Sequence, residues 1–267
     1  MPLEPVDPPC EQCEGRGWIL AADGSAGTAA ACPCQAVNEA ALLLERARIP
    51  LRYRRKTLGN FEVSSPSDAD HSRLYEASQR SRHYVERFVG SDGNFRQSGL
   101  LFIGRPGGGK THLAVGVLRA LIERYRVRGR FVDFTTLVHE IQATFDPGSE
   151  ESKRQVLDPV IDAEVLVLDE LGAQRPTAFV NDILYLVLNT RYTRCLPTLF
   201  TTNYPLEEVR SESRSMDGPA RLQDTPTVSL ASRIPARLVS RLYEMAQPIV
   251  LPDADFRRDI GAAQSYV

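Results

Sequence analysis

From Gly99 onward the apolar positions alternate between two textures, short unbroken runs and stripes at helical spacing. Leu100 to Ile103, Arg130 to Phe134, Glu164 to Leu168, Thr198 to Thr201 and Pro248 to Leu251 read as strands. The unbroken run ending at Leu168 suits a central strand covered on both faces. Between the runs, Lys110 to Tyr125, Thr136 to Phe145 and Ser232 to Met245 read as helices. Another helix is marked by Val180, Ile183, Leu184, Val187 and Leu188, which follow the i, i+3, i+4, i+7, i+8 stripe. This alternation predicts an α/β fold, a five-stranded parallel sheet flanked by crossover helices. Upstream, a helix is expected from Asp68 to Phe88, ending at Gly90, and a shorter helical run from Val37 to Arg48. Asp146 to Arg154 is polar and reads as a loop. Glu207 to Thr227 is rich in Ser, Pro, Arg and Glu without periodicity, a connection long enough to be functional or disordered.

At 267 residues the chain has room for one α/β domain and a small appendage. The expected division falls at Ile49, with a cysteine-bearing module and linker helix over 1–48 and the α/β domain over 49–267. A net charge of −2 does not by itself point to nucleic acid. Arginine far outnumbers lysine, which occurs only as Lys56, Lys110 and Lys153; the bias fits a GC-rich coding genome and makes the placement of Lys110 more telling. No apolar run approaches the ~20 residues a bilayer span requires, and the start at Met1-Pro2-Leu3 lacks a signal pattern. The expectation is a cytoplasmic protein with no membrane association, its cysteines reduced.

The segment Gly104-Arg105-Pro106-Gly107-Gly108-Gly109-Lys110-Thr111 fits the phosphate-loop pattern G-x-x-x-x-G-K-[ST], after a strand and opening a helix. Glycines let successive N–H groups turn toward phosphate, and the helix N-terminus adds its positive dipole. Lys110 would bridge the terminal phosphates of ATP, and the Thr111 hydroxyl would ligate Mg²⁺. Asp169 and Glu170 end an apolar strand at the edge where such sheets bind ligands. There Asp169 would hold Mg²⁺ and Glu170 would act as general base toward water. Asn203 closes the next strand; it either orients that water or merely forms a turn before Tyr204-Pro205.

Together these blocks resemble the helicase-loader branch of AAA+ ATPases, the DnaC/DnaI type, and the related IstB-type transposition helpers. The resemblance is carried by Ile49 to Phe61, Gly109-Lys-Thr-His112-Leu-Ala114, Leu199 to Asn203, Arg237 to Leu242 and Asp255-Phe256-Arg257. It implies an AAA+ P-loop ATPase with only a remnant lid and places His112 within the nucleotide-binding loop. It makes Asn203 the sensor-1 residue and gives Arg257 a contact to ATP within its own subunit. Arg241, with Arg237 second, becomes the arginine finger offered to a neighbouring subunit, so self-association through the ATP site is implied. A replicative hexameric helicase and single-stranded DNA are the partners it implies. Gly108 departs from the bulkier residue found in many relatives.

Cys10, Cys13, Cys32 and Cys34 are four clustered thiols, in C-x-x-C and C-x-C pairs. Such a set suits tetrahedral, structural Zn²⁺, the alternatives being free thiols or an iron–sulfur site. Cys195 lies far from them and reads as a small core residue. Arg46, Arg48, Arg52, Arg54, Arg55 and Lys56 surround Tyr53, and Arg119, Arg124, Arg126, Arg128 and Arg130 form a second basic group. Either group could track phosphates, with the aromatic stacking a base, or simply serve as linker and solvated surface. The reading is an ATPase that loads a replicative helicase onto single-stranded DNA. Its rivals are an IstB-type transposition helper and an ATP-gated adaptor without a DNA role.

Overall fold

The computed structural model describes residues 12–13, 18–20, 29–63, 67–146, 148, 152–206, 228–253 and 255–256. Strands β1 (Trp18–Leu20) and β2 (Ala29–Ala31) form an antiparallel pair. Helix α1 (Pro33–Arg46) begins directly after Cys32, with proline in its first turn where no N–H is needed. Helix α2 (Asp68–Glu86) is capped by the Ser67 hydroxyl, which accepts from the Asp70 N–H. The α/β repeat then runs through β3 (Gly99–Ile103), α3 (Lys110–Tyr125), β4 (Gly129–Asp133), α4 (Phe134–Ala143) and α5 (Lys153–Ile161). It ends with β5 (Val165–Asp169), α6 (Ala178–Thr193), β6 (Thr198–Thr202), α7 (Ala236–Met245) and β7 (Ala246–Val250).

The sheet is parallel throughout, in the order β4-β5-β6-β3-β7. Side-chain alternation divides it cleanly. Leu101, Ile103, Leu166, Leu168 and Phe200 pack with α4 to α7, while Leu100, Phe102, Val165, Val167 and Leu199 pack with α1 to α3. Both faces are therefore covered, which is why these strands read as continuous apolar runs. All five strands point their carboxyl ends to one edge, so the ends of β3, β5 and β6 lie side by side there.

The opposite edge carries an unusual tie. Arg191 of α6 is fully buried. Its guanidinium donates to the Thr198 hydroxyl and to the carbonyls of Val160, Ile161, Ala163 and Pro197, at 2.7–3.2 Å. Burial pushes its pKa down to about 9, which still leaves it charged at neutral pH. One side chain thus joins α5, α6 and the starts of β5 and β6.

The structure departs from the sequence pattern at several points. Helix α5 takes in the last two residues of the polar stretch expected to be a loop, because Ser152 and Gln155 form a reciprocal capping box that starts it. The helix expected from Ser232 is two elements, a 3-10 turn at Leu230–Ser232 and then α7, with Pro235 at the N-cap of α7. Phe134 opens α4 rather than ending β4, because the Asp133 carboxylate caps the Thr136 N–H. Cys195 is exposed, not buried in the core. It follows α6 with φ +53°, its N–H bonded to the Tyr192 carbonyl, so it forms the left-handed turn that ends the helix. Residues 207–227, Cys10 and Arg257 lie outside the described residues. Among the described residues, no helix is long and apolar enough to cross a membrane.

Candidate nucleotide site

The loop after β3 has the backbone a phosphate cradle requires. Gly107 and Gly109 have φ of +89° and +90°, conformations that side-chain-bearing residues rarely adopt. A Cβ on Gly107 would collide with the Asp255 carboxylate, and one on Gly109 with the Phe61 ring. Lys110 is buried at the start of α3, and its Nζ donates to the Arg105 carbonyl at 2.7 Å. The Gly104 N–H bonds to the Thr202 carbonyl, fixing the loop's origin against β6. Pro106 and Gly108 complete the turn, with Gly108 N–H on the Arg105 carbonyl.

Asp169, at the end of β5, is buried beside this loop. Its carboxylate accepts from the Thr111 hydroxyl at 3.0 Å and from the Thr201 hydroxyl at 2.6 Å. Burial pushes its pKa up to about 6, against the lowering effect of the two hydroxyls; the negative charges of Glu170 and Asp133 push in the same direction as burial. A buried carboxylate next to a hydroxyl is an all-oxygen donor pair of the kind Mg²⁺ takes, and a divalent cation would relieve the charge crowding. Glu170 is exposed at φ +59°, its N–H held by the Thr201 hydroxyl at 3.0 Å. Asn203 follows β6 and is half-buried.

His112 has a more specific role than its place in the motif suggests. Its Nε2 lies 2.9 Å from the Thr57 carbonyl and 3.0 Å from Asn60 Oδ1, and its ring meets Phe61 edge-on at 5.2 Å. Burial lowers its pKa, so the ring is neutral near pH 7. It anchors the 57–61 segment alongside the phosphate loop, and Gly116 helps by letting Thr57 and Leu58 approach α3 closely.

The arginines of α7 are arrayed over aromatic rings. Arg237 lies 4.6 Å from the Tyr185 centroid; Arg241 lies 5.3 Å from Tyr185 and 5.5 Å from Tyr192. One terminal nitrogen of Arg241 is buried without a hydrogen-bond partner. Arg233, just before α7, is used differently. It donates to the carbonyls of Gly172, Ala173 and Gln174 and covers Tyr204, tying the loop after Glu170 to the approach of α7.

The basic groups are partly consumed by the fold. Arg54 donates to the Ile49 carbonyl, Arg119 to Arg54 and Glu123, and Arg128 to Glu164, while Arg126 pairs with Glu39. Tyr53 packs against Phe131. Arg46, Arg48, Arg52 and Arg55 are exposed. Near the start of the chain, the sulfurs of Cys13, Cys32 and Cys34 all lie within 4.8 Å of one another, with Cys13 and Cys32 buried, a cluster that could hold a metal ion.

Two relatives and one solved structure extend this picture. The replicative helicase loader DnaC of Escherichia coli strain K12 is 31% identical over 135 residues, covering 50% of this chain and 51% of that protein. The replicative helicase loader DnaI of Bacillus subtilis strain 168 is 30% identical over 162 residues, covering 60% of this chain and 47% of that protein. The chain thus spans about half the length of the curated relatives it matches. The crystal structure of the DnaC helicase loader aligns with a TM-score of 0.58 at 30% identity, over 76% of this chain and 100% of that one. Residues 40–215 match the IstB-like ATP binding protein family. The five-stranded parallel sheet flanked by helices is the AAA+ P-loop fold expected from the sequence, and the chain belongs to the family of IstB-like ATP-binding proteins.

Proposed function

We propose that this protein is an ATPase that loads a replicative hexameric helicase onto single-stranded DNA. The observation that carries the reading is the structural correspondence to the whole DnaC crystal chain at 30% identity, combined with an intact phosphate loop and carboxylate pair. In this reading Gly104 to Thr111 hold the phosphates of ATP, with Lys110 against the terminal ones, and Thr111 and Asp169 hold Mg²⁺. When bound, Mg²⁺ neutralises charge on the phosphates. Glu170 removes a proton from water, Asn203 orients it, and Arg257 contacts the nucleotide from the same subunit. Arg241, with Arg237 beside it, reaches the nucleotide of a neighbouring copy, which makes assembly and turnover interdependent. Cys10, Cys13, Cys32 and Cys34 hold a structural Zn²⁺, since four thiolates match its preferred donors. The division into a module over 1–48 and an ATPase domain over 49–267 belongs to the same proposal.

A second reading, an ATP-dependent transposition helper, is favoured by 26% identity over 162 residues to an insertion-sequence putative ATP-binding protein of Geobacillus stearothermophilus. The deciding experiment is affinity capture with the Glu170→Gln protein in ATP, which holds the assembled state, followed by partner identification. Recovery of a replicative helicase supports the loader; recovery of a transposase moves the protein to the second reading. Salt-dependent binding of single-stranded DNA is expected in either case, and its absence at low salt removes the DNA role.

A further inference from the structure

We propose that Thr201 is a positioning residue for ATP hydrolysis, acting through Glu170; the inference rests on the ATPase reading above. Thr201 sits in β6, beside the strand that bears the carboxylates, and is 1% exposed. Its hydroxyl makes two bonds at once. It donates to Asp169 Oδ1 at 2.6 Å and accepts from the Glu170 N–H at 3.0 Å. Its own carbonyl accepts the Leu171 N–H at 2.8 Å, and the neighbouring Thr202 hydroxyl donates to the Leu171 carbonyl at 2.8 Å. The three residues leaving β5 are thereby held by β6.

Glu170 needs such a hold. At φ +59° it occupies a region that non-glycine residues enter at a cost. The bond from its N–H to Thr201 keeps the residue there, which sets where its exposed carboxylate starts from the backbone. A hydroxyl can donate to one residue and accept from the next with a single atom, which a methyl group in its place cannot. Thr201 itself is buried, with its hydroxyl committed to Asp169 and Glu170. Its effect is to orient those two residues.

The test compares Thr201→Val, which keeps the shape and removes the hydroxyl, with Thr201→Ser, which restores it. Turnover of the Val variant is expected to fall about 10- to 100-fold, the scale of a misplaced catalytic group. Its calorimetric affinity for ATP without Mg²⁺ should stay within about threefold, because Lys110 and the loop are untouched; Thr201→Ser should recover most of the turnover. The Val change is then placed in the Glu170→Gln protein, where it should cost less than about threefold further, since the residue it acts through is already disabled. Equal turnover in Val and wild type overturns the inference, as do independent losses that multiply in the double variant. Parallel loss of melting temperature, ATP affinity and turnover, unrescued by Ser, reduces Thr201 to a structural role. If Val does not fold, Thr201→Ala in the same cycle gives the same decision. A wild-type protein that binds but never hydrolyses ATP would instead sink the ATPase reading itself, a separate and distinguishable failure.

Discussion

Lys110 Nζ and the Arg105 carbonyl are 2.7 Å apart, so the ammonium closes the loop that surrounds it. Removing it takes away both a charge for phosphate and a strut of the cradle. Lys110→Ala is expected to weaken ATP binding by at least about 100-fold, consistent with the loss of a charge-assisted contact. Titration calorimetry checks this, and unchanged affinity would sink the assignment of the loop.

Asp169 gives a prediction with a definite sign. Its folded pKa, about 6, lies above the unfolded value of 3.8. A carboxyl raised in this way stabilises the fold fully below the unfolded value and loses that contribution as pH rises through about 6. At pH 8 the buried charge therefore costs stability, on the order of 3 kcal/mol by linkage. Asp169→Asn should melt several degrees higher than wild type at pH 8 without nucleotide, and show little gain at pH 4. A variant less stable at pH 8 would mean that the charge is compensated in the folded protein.

Arg191→Leu should be among the most damaging core changes. It leaves a cluster of buried carbonyls without donors, a loss of about 3–5 kcal/mol. Urea denaturation measures it. Arg191→Lys should recover little, since an ammonium lacks the planar fork that spans partners on α5 and at the starts of β5 and β6.

If Arg241 acts between subunits, two inactive proteins should cure each other. Arg241→Ala keeps its own Glu170, and Glu170→Gln keeps its own Arg241. A mixture should regain a measurable fraction of wild-type turnover, above about one-tenth, although each alone is nearly inactive. A mixture as inactive as its components would place the arginine elsewhere or remove the assembly.

The cysteine cluster predicts about one zinc per chain by elemental analysis. Chelation should reduce thermal stability without touching ATP affinity, because the module holds no part of the phosphate loop. Protein purified without metal, or with iron, would overturn the zinc assignment.

The features most legible in the sequence are those where one residue type serves one need. The start of α3 is readable because Gly109 and Lys110 belong to a motif whose geometry is a helix start. The sheet is readable because double burial leaves short apolar runs, Leu100 to Ile103 in β3 and Val165 to Leu168 in β5. What stays hidden depends on contacts between distant segments. Helix α5 is short and contains Pro159, so its apolar spacing is too sparse to stand out, although its capping box is present in the letters. Arg191 looks like the polar end of α6, since nothing local says that three carbonyls from about thirty residues upstream converge on it. Thr201 looks like one more strand residue, and its two bonds to β5 emerge only when β5 and β6 are placed side by side. The contact of Tyr53 with Phe131 likewise joins distant segments and has no local signal in the sequence.

The Arg191 tie lies at one end of the β5–β6 pair and Thr201 near the other. Clamped at its base and loaded at its tip, the pair is built like a cantilever. A displacement imposed at the phosphate end would bear on the residues from Glu170 to Gly172, which β6 holds through Thr201 and which Arg233 ties to the approach of α7. Stiffness at the clamp is thus what would give a small change at the phosphate its direction.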